Sequence, residues 1–214
     1  ISSVKGSVIV KDFSKEKFKM NLKSNKVNVI KILPGGVVTA KDTAEIELDA
    51  NGEFVRNPEV DLVKVAVVER HQGTGNVACG FLKGYGIKEG AVALSVAHDS
   101  HNIIVVGVND EEMEFAVNSL IEQEGGIVLV KEGKVIESMP MPIAGLMSDQ
   151  SGEWVDQKLT DIHEKAYEEL GICGDVEPVM TLCFMSLAVI PEIKLTDMGL
   201  FDVTTFSFIP VEVE

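Results

Sequence analysis

Apolar residues along this chain fall in short dense runs separated by glycine, proline or charged breaks, the pattern of buried strands with a few intervening helices. Over the first fifty residues, segments 4–10, 27–33, 36–39 and 44–48 predict strands, with Pro34-Gly35-Gly36 and Asn51-Gly52 as turns between them. Residues 62–68 form a β-branched run with no polar alternation beyond Lys64, which predicts a strand buried on both faces. Two further apolar runs, 91–97 and 103–108, flank the polar break His98-Asp99-Ser100-His101-Asn102.

Beyond that break the period changes. Asn109 followed by Glu112 reads as a helix start, and Met113, Ala116, Val117, Leu120 and Ile121 recur on one helical face until Gly125-Gly126. Residues 127–130 predict a strand, and Lys131-Glu132-Gly133-Lys134 turns it into a hairpin with Val135-Ile136, before the stretch interrupted by Pro140 and Pro142. A second helix is predicted over 151–170, its apolar face made by Val155, Leu159, Ile162, Ala166 and Leu170 and its stop by Gly171. The methionine-rich run 179–190 predicts a core helix, and 206–213 a closing strand. The succession predicts an α+β fold of mixed β-sheets with packed helices, preceded by a small β region and without internal repeats.

Composition narrows the partners. A chain of 214 residues with 45% hydrophobic content can bury a full core. Its formal net charge of -15 repels phosphate backbones and anionic lipid, so neither nucleic acid nor a membrane surface is expected as a partner. The sequence has no uncharged apolar stretch of about 18 residues and no charged-then-apolar leader, and the expected location is cytoplasmic. Cys79, Cys173 and Cys183, an odd number in scattered apolar settings, are expected to be reduced core thiols. Because the chain opens on Ile1-Ser2-Ser3 without an initiator methionine, a piece of a longer polypeptide is expected.

The polar break at 98–102 holds two of the four histidines. Five polar side chains at the junction of two apolar strands make either a hydrogen-bonded turn or a site. On a continuous strand His98 and His101 would face opposite sides, so they converge only if Asp99-Ser100 turns the chain. Gly73-Thr74-Gly75-Asn76 invites a phosphate-loop reading, but no Lys-Ser/Thr follows it. A metal phosphohydrolase centred on His98-Asp99 would need further ligands, and only His71 and His163 remain. His163, flanked by Asp161 and Glu164, is expected to be a solvated helix residue.

Four segments read together carry a resemblance: residues 67–76 (Val-Val-Glu-Arg-His-Gln-Gly-Thr-Gly-Asn), 96–107 around the polar break, 142–148 (Pro-Ile-Ala-Gly-Leu-Met-Ser), and 191–197 followed by Gly199-Leu200-Phe201-Asp202. They resemble the carboxy-terminal part of bacterial and archaeal adenine deaminase, of the amidohydrolase superfamily, over about residues 60–210. The resemblance implies a domain at 57–214, with 1–56 as the β-rich linker to a barrel that precedes it. It implies hydrolysis of adenine to hypoxanthine and ammonia by a metal-activated hydroxide, in adenine catabolism and purine salvage. The family's metal centre lies in a (β/α)8 barrel with a His-x-His pair, and no His-x-His occurs in these residues. Manganese or iron is therefore expected in the complete enzyme, no metal ligand on this chain, and little activity from this chain alone. By the same resemblance His98, Asp99 and His101 gain a supporting catalytic role at the barrel mouth, and Glu69, His71 and Asn102 a substrate-binding one. Expected partners are adenine, the barrel and further copies in a homo-oligomer. The alternative is a non-catalytic binding or assembly module that covers a barrel or mediates oligomerisation.

Overall fold

A computed structural model describes residues 4–213. Thirteen strands lie among the described residues: β1 (Lys26–Ile32), β2 (Thr39–Glu45), β3 (Glu47–Leu48), β4 (Phe54–Val55), β5 (Leu62–Val68), β6 (Val77–Lys83), β7 (Ala91–Leu94), β8 (Ile103–Gly107), β9 (Gly126–Lys131), β10 (Lys134–Pro140), β11 (Ile193–Thr196), β12 (Gly199–Asp202) and β13 (Ser207–Phe208). The helices are α1 (Asp110–Glu122), α2 (Gly152–Glu168) and the single turn α3 (Met180–Cys183). Eight strands form one sheet in the order β10-β9-β7-β8-β5-β6-β1-β2, antiparallel throughout except for the parallel pair β1 and β6. The fold is α+β.

The sheet is covered on both faces, which explains why β5 is buried at every position. Alternate residues serve different cores: Val63, Val65 and Val67 pack with α2, α3 and the sheet β11-β12-β13, whereas Ala66 and Val68 pack with α1 through Met113, Ala116, Val117 and Leu120. The helices predicted from Asn109 and over 151–170 stand within two residues of their predicted ends, and the first carries its predicted cap. Asn109 Oδ1 accepts the Glu112 amide at 2.8 Å, and Ser151 Oγ accepts the Trp154 amide at 3.3 Å. Replacing Asn109 with alanine is expected to lower stability by about 1 kcal/mol, read as a lower denaturation midpoint with the slope unchanged.

Several expectations are corrected. Segment 4–10 joins no sheet: it turns at Gly6, the Ile9 amide donates to Arg70 O at 2.8 Å, and Val8 and Val10 cover the α1-side core instead. The strand expected at 44–48 is present as the end of β2 and as β3, whereas of that expected at 36–39 only Thr39 lies in a strand. The polar centre Lys41-Asp42-Thr43 of β2 is tolerated because β2 is the sheet edge and alternates exposed with covered positions. Strands β4, β6, β11 and β12 were not predicted. Ala78 and Gly80 lie on the face of β6 that the small sheet packs upon, where a Cβ on Gly80 would meet Leu195 Cδ1 at 3.6 Å, while Cys79 faces the α1-side core.

The core helix expected over 179–190 shrinks to α3, bounded by Pro178 and Pro191; Leu182, Cys183 and Met185 are buried while Val189 is 68% exposed. The closing strand expected over 206–213 reduces to β13 and an isolated bridge between Glu212 and Val27, with Phe206 in the left-handed region at φ 52°. Cys183 is a core thiol as expected, and burial pushes it and Cys79 up to about 12. Cys173 is not: it lies exposed past the stop of α2, bonded to Asp175. His163 is only half-buried on α2 and pairs with Glu177 rather than standing free in solvent.

Candidate functional site

Register builds the site. Val68 on β5 stands opposite Ile103 on β8, so residues 69–71 leaving one strand face residues 100–102 entering the other. The facing groups bond across that gap. The Arg70 amide donates to Asn102 Oδ1 at 3.3 Å, Arg70 Nε donates to His101 O at 2.5 Å, and His71 Nε2 donates to Ser100 O at 2.7 Å. The His101 amide closes a tight turn on Ala97 O at 2.6 Å, and the His98 amide donates to Cys183 O at 2.7 Å. The turn needed for convergence is therefore present: the His98 and His101 rings stand edge to face with centroids 5.2 Å apart, and His98 also lies 4.8 Å from the Phe184 ring. Asp99 and Ser100 at its tip are exposed.

Glu69 organises the neighbouring loop. Its Oε1 accepts the amides of His71 at 2.5 Å and Gln72 at 2.8 Å, and its Oε2 accepts the Thr74 amide at 2.9 Å and hydroxyl at 3.0 Å. Burial would raise this carboxyl, but those donors outweigh it and hold it down at about 2. The carboxylate fills the glycine-containing loop 72–76 with negative charge, which removes the phosphate-loop reading. Asn102 is buried as well, at 4% exposure. Of the three side chains expected to touch substrate, His71 is the exposed one, and Glu69 and Asn102 are committed to shaping the loop and the turn.

Two more of the quoted segments meet here. Ala144 O accepts Arg70 Nη2 at 3.1 Å, and Gly145 O accepts the Ser95 hydroxyl at 2.5 Å, which ties loop 142–148 beneath the turn. At the tip of the β11-β12 hairpin, Met198 Sδ lies 3.5 Å from Asn76 Nδ2. Arg70 stands beside the histidines, as expected from Glu69-Arg70-His71 at the end of an apolar strand. Phe184 and Gly145 were not singled out in the sequence as site residues, and nothing in local spacing connects them to the histidines.

The imidazole of His101 is held below the ordinary histidine value, first by burial, then by His98 and Arg70 and less by His71, with Asp99 opposing. It is neutral near pH 7 and can donate at one nitrogen and accept at the other. Among the described residues no three His, Cys, Asp or Glu side chains are placed to hold a metal ion. The divalent cation implied by the resemblance is therefore not fitted by the described residues, and among them the phosphohydrolase reading has no ligand set. A cleft of about 500 Å³ lies at the other end of β8; its lysines are met by acids, Lys15 by Glu111, Lys19 by Glu16 and buried Lys64 by Asp110 at 2.8 Å, while Arg56 donates to Ile87 O. No helix among the described residues is long and apolar enough to cross a membrane.

A family model described as adenine deaminase C-terminal domain matches residues 36–207. The chain is 68% identical over 212 residues to a protein named adenine deaminase 2 from Desulfotalea psychrophila, covering 99% of this chain and 37% of that one. It is 49% identical to an adenine deaminase from Ligilactobacillus salivarius, covering 100% of this chain and 37% of the relative. With an adenine deaminase 2 from Carboxydothermus hydrogenoformans it shares 45% identity, covering 98% of this chain and 36% of the relative. The chain thus spans little more than a third of the length of the curated relatives it matches.

Proposed function

Since the chain belongs to the adenine deaminase C-terminal domain family, we propose that it is the carboxy-terminal part of a cytoplasmic adenine deaminase whose complete form hydrolyses adenine to hypoxanthine and ammonia in purine salvage. The observation that carries this reading is the match along essentially the whole chain to proteins of that name, each more than twice as long. In this reading an amidohydrolase barrel outside the present residues holds manganese or iron, and segment 1–56 leads from it into the domain at 57–214. What this chain adds is the His98–Asn102 turn. His98, Asp99 and His101 stand at the barrel mouth, where a neutral imidazole matches the mixed donor and acceptor edge of a purine. His71 borders the same opening, while Glu69 and Asn102 keep it in shape.

The test is adenine turnover, followed as hypoxanthine formation with manganese or iron added, using this chain alone and then mixed with a separately made barrel half. Activity only on mixing is expected. Turnover by the chain alone would overturn the assignment of the metal to the barrel.

A second reading, an assembly module without a part in the chemistry, draws on one surface. Met198, Phe206 and Phe208 are 67%, 73% and 56% exposed, and both phenylalanines stack edge-on against Phe201. Sedimentation of the same mixture separates the two: this reading expects a stable complex or homo-oligomer whose turnover does not depend on the histidine turn.

A further inference from the structure

The turn that carries His98 and His101 is fastened by a buried cation without a counter-charge. Arg70 is 1% exposed, and no carboxylate among the described residues pairs with its guanidinium. The adjacent Glu69 turns both oxygens into its own loop. An isolated buried guanidinium is costly, because desolvation is normally offset by a carboxylate. Here the offsets are two backbone carbonyls, His101 O and Ala144 O. The guanidinium lies over Gly145, where a Cβ would come within 2.7 Å of Nη1, so only glycine leaves it room. Arg70 Nη1 and His101 Nδ1 are both buried with no hydrogen-bond partner. His101 also sits at φ 53°, a region that a side chain with a Cβ adopts only when its surroundings hold it there. The Arg70 Nε bond to its carbonyl is such a hold.

We propose that Arg70 is the positioning residue of His101, fixing the turn that carries the imidazole and acting on the ring through an uncompensated positive charge. Burial, His98, Arg70 and His71 all disfavour the imidazolium, and Asp99 alone favours it. A carboxylate on Arg70 would cancel one of the disfavouring charges, so its absence keeps the ring neutral over a wider pH range. Lysine would supply the charge but not the planar fork that reaches both carbonyls. The functional meaning of this coupling rests on the proposed place of the turn at the active site; the coupling itself does not.

Nuclear magnetic resonance titration of the histidine ring protons in this 214-residue chain tests the coupling first. In the unaltered chain His101 is expected to titrate below about 6.5. Its midpoint should move up in Arg70→Gln and Arg70→Met and stay low in Arg70→Lys. A His101 that titrates at or above 6.5 in the unaltered chain overturns the proposal without any variant being needed, as does a midpoint indifferent to Arg70→Gln. The same variants are then placed in the complete enzyme. Arg70→Gln is expected to shift the acid limb of the rate upward, with an additional loss of about tenfold at pH 6 relative to pH 8, and Arg70→Lys to restore the limb. A moved His101 midpoint with an unmoved rate profile would sink the active-site reading of the turn and leave the positioning role standing.

Discussion

Alanine at both His98 and His101 in a complete enzyme is expected to lower adenine turnover at least about 100-fold while leaving thermal unfolding and subunit association nearly unchanged. The two rings occupy one turn and contact each other, His98 also meets Phe184, and both residues are anchored through backbone groups that alanine retains. Removing the imidazoles therefore deletes chemistry more than structure. The amide of residue 98 still donates to Cys183 O, and the amide of residue 101 still closes on Ala97 O. An assembly module predicts the reverse, turnover within a fewfold of normal and a changed sedimentation profile. The pH dependence separates them further. His101 is held low first by burial and then by His98 and Arg70, so activity that uses the neutral ring persists to lower pH than an ordinary histidine would allow, then falls as the ring gains its proton.

The legibility of this site in the sequence has a physical limit. Where one element determines its own geometry, the pattern was sufficient: α1 announces its cap, α1 and α2 announce their apolar faces, and β5 announces its burial. Where geometry comes from a distant partner it was not. The run 179–190 is as apolar as a core helix, yet prolines at both ends and the need to meet His98 and β11 break it into turns, with the Leu195 amide donating to Met185 O at 3.1 Å. β6 is poor in β-branched residues because a second sheet sits on it, a fact recorded nowhere near residues 77–83. The histidine convergence was conditional in the sequence on a turn at Asp99-Ser100, and the turn is there. The cation behind it was visible as a residue but not as a buried one, since burial of Arg70 depends on loop 142–148 arriving beneath it.

Glu69→Gln is the substitution expected to cost the most stability for the fewest atoms changed. Three backbone amides and a hydroxyl donate to the Glu69 carboxylate, and a carboxamide presents an NH2 group to part of that set, leaving buried donors facing a donor. The folded carboxyl lies at about 2, against 4.5 for the unconstrained group. That depression corresponds to about 3 kcal/mol of stability. Its sign follows from the direction: the contribution is complete above 4.5 and disappears as pH falls toward 2, because the protonated acid no longer matches four donors. Urea denaturation of the two chains should show the variant less stable by about 2–3 kcal/mol at pH 7. The gap should narrow through the window from 4.5 to 2 and close near its lower end. Asp202, whose carboxyl is also depressed through Lys41 and Thr204, loses stabilisation in acid in both chains, so the difference between them isolates Glu69. Equal midpoints at pH 7 would show that the loop 71–74 stands without its carboxylate. In that event the exposed position of His71 beside the histidine turn would need another cause, because its amide is one of the donors Glu69 holds.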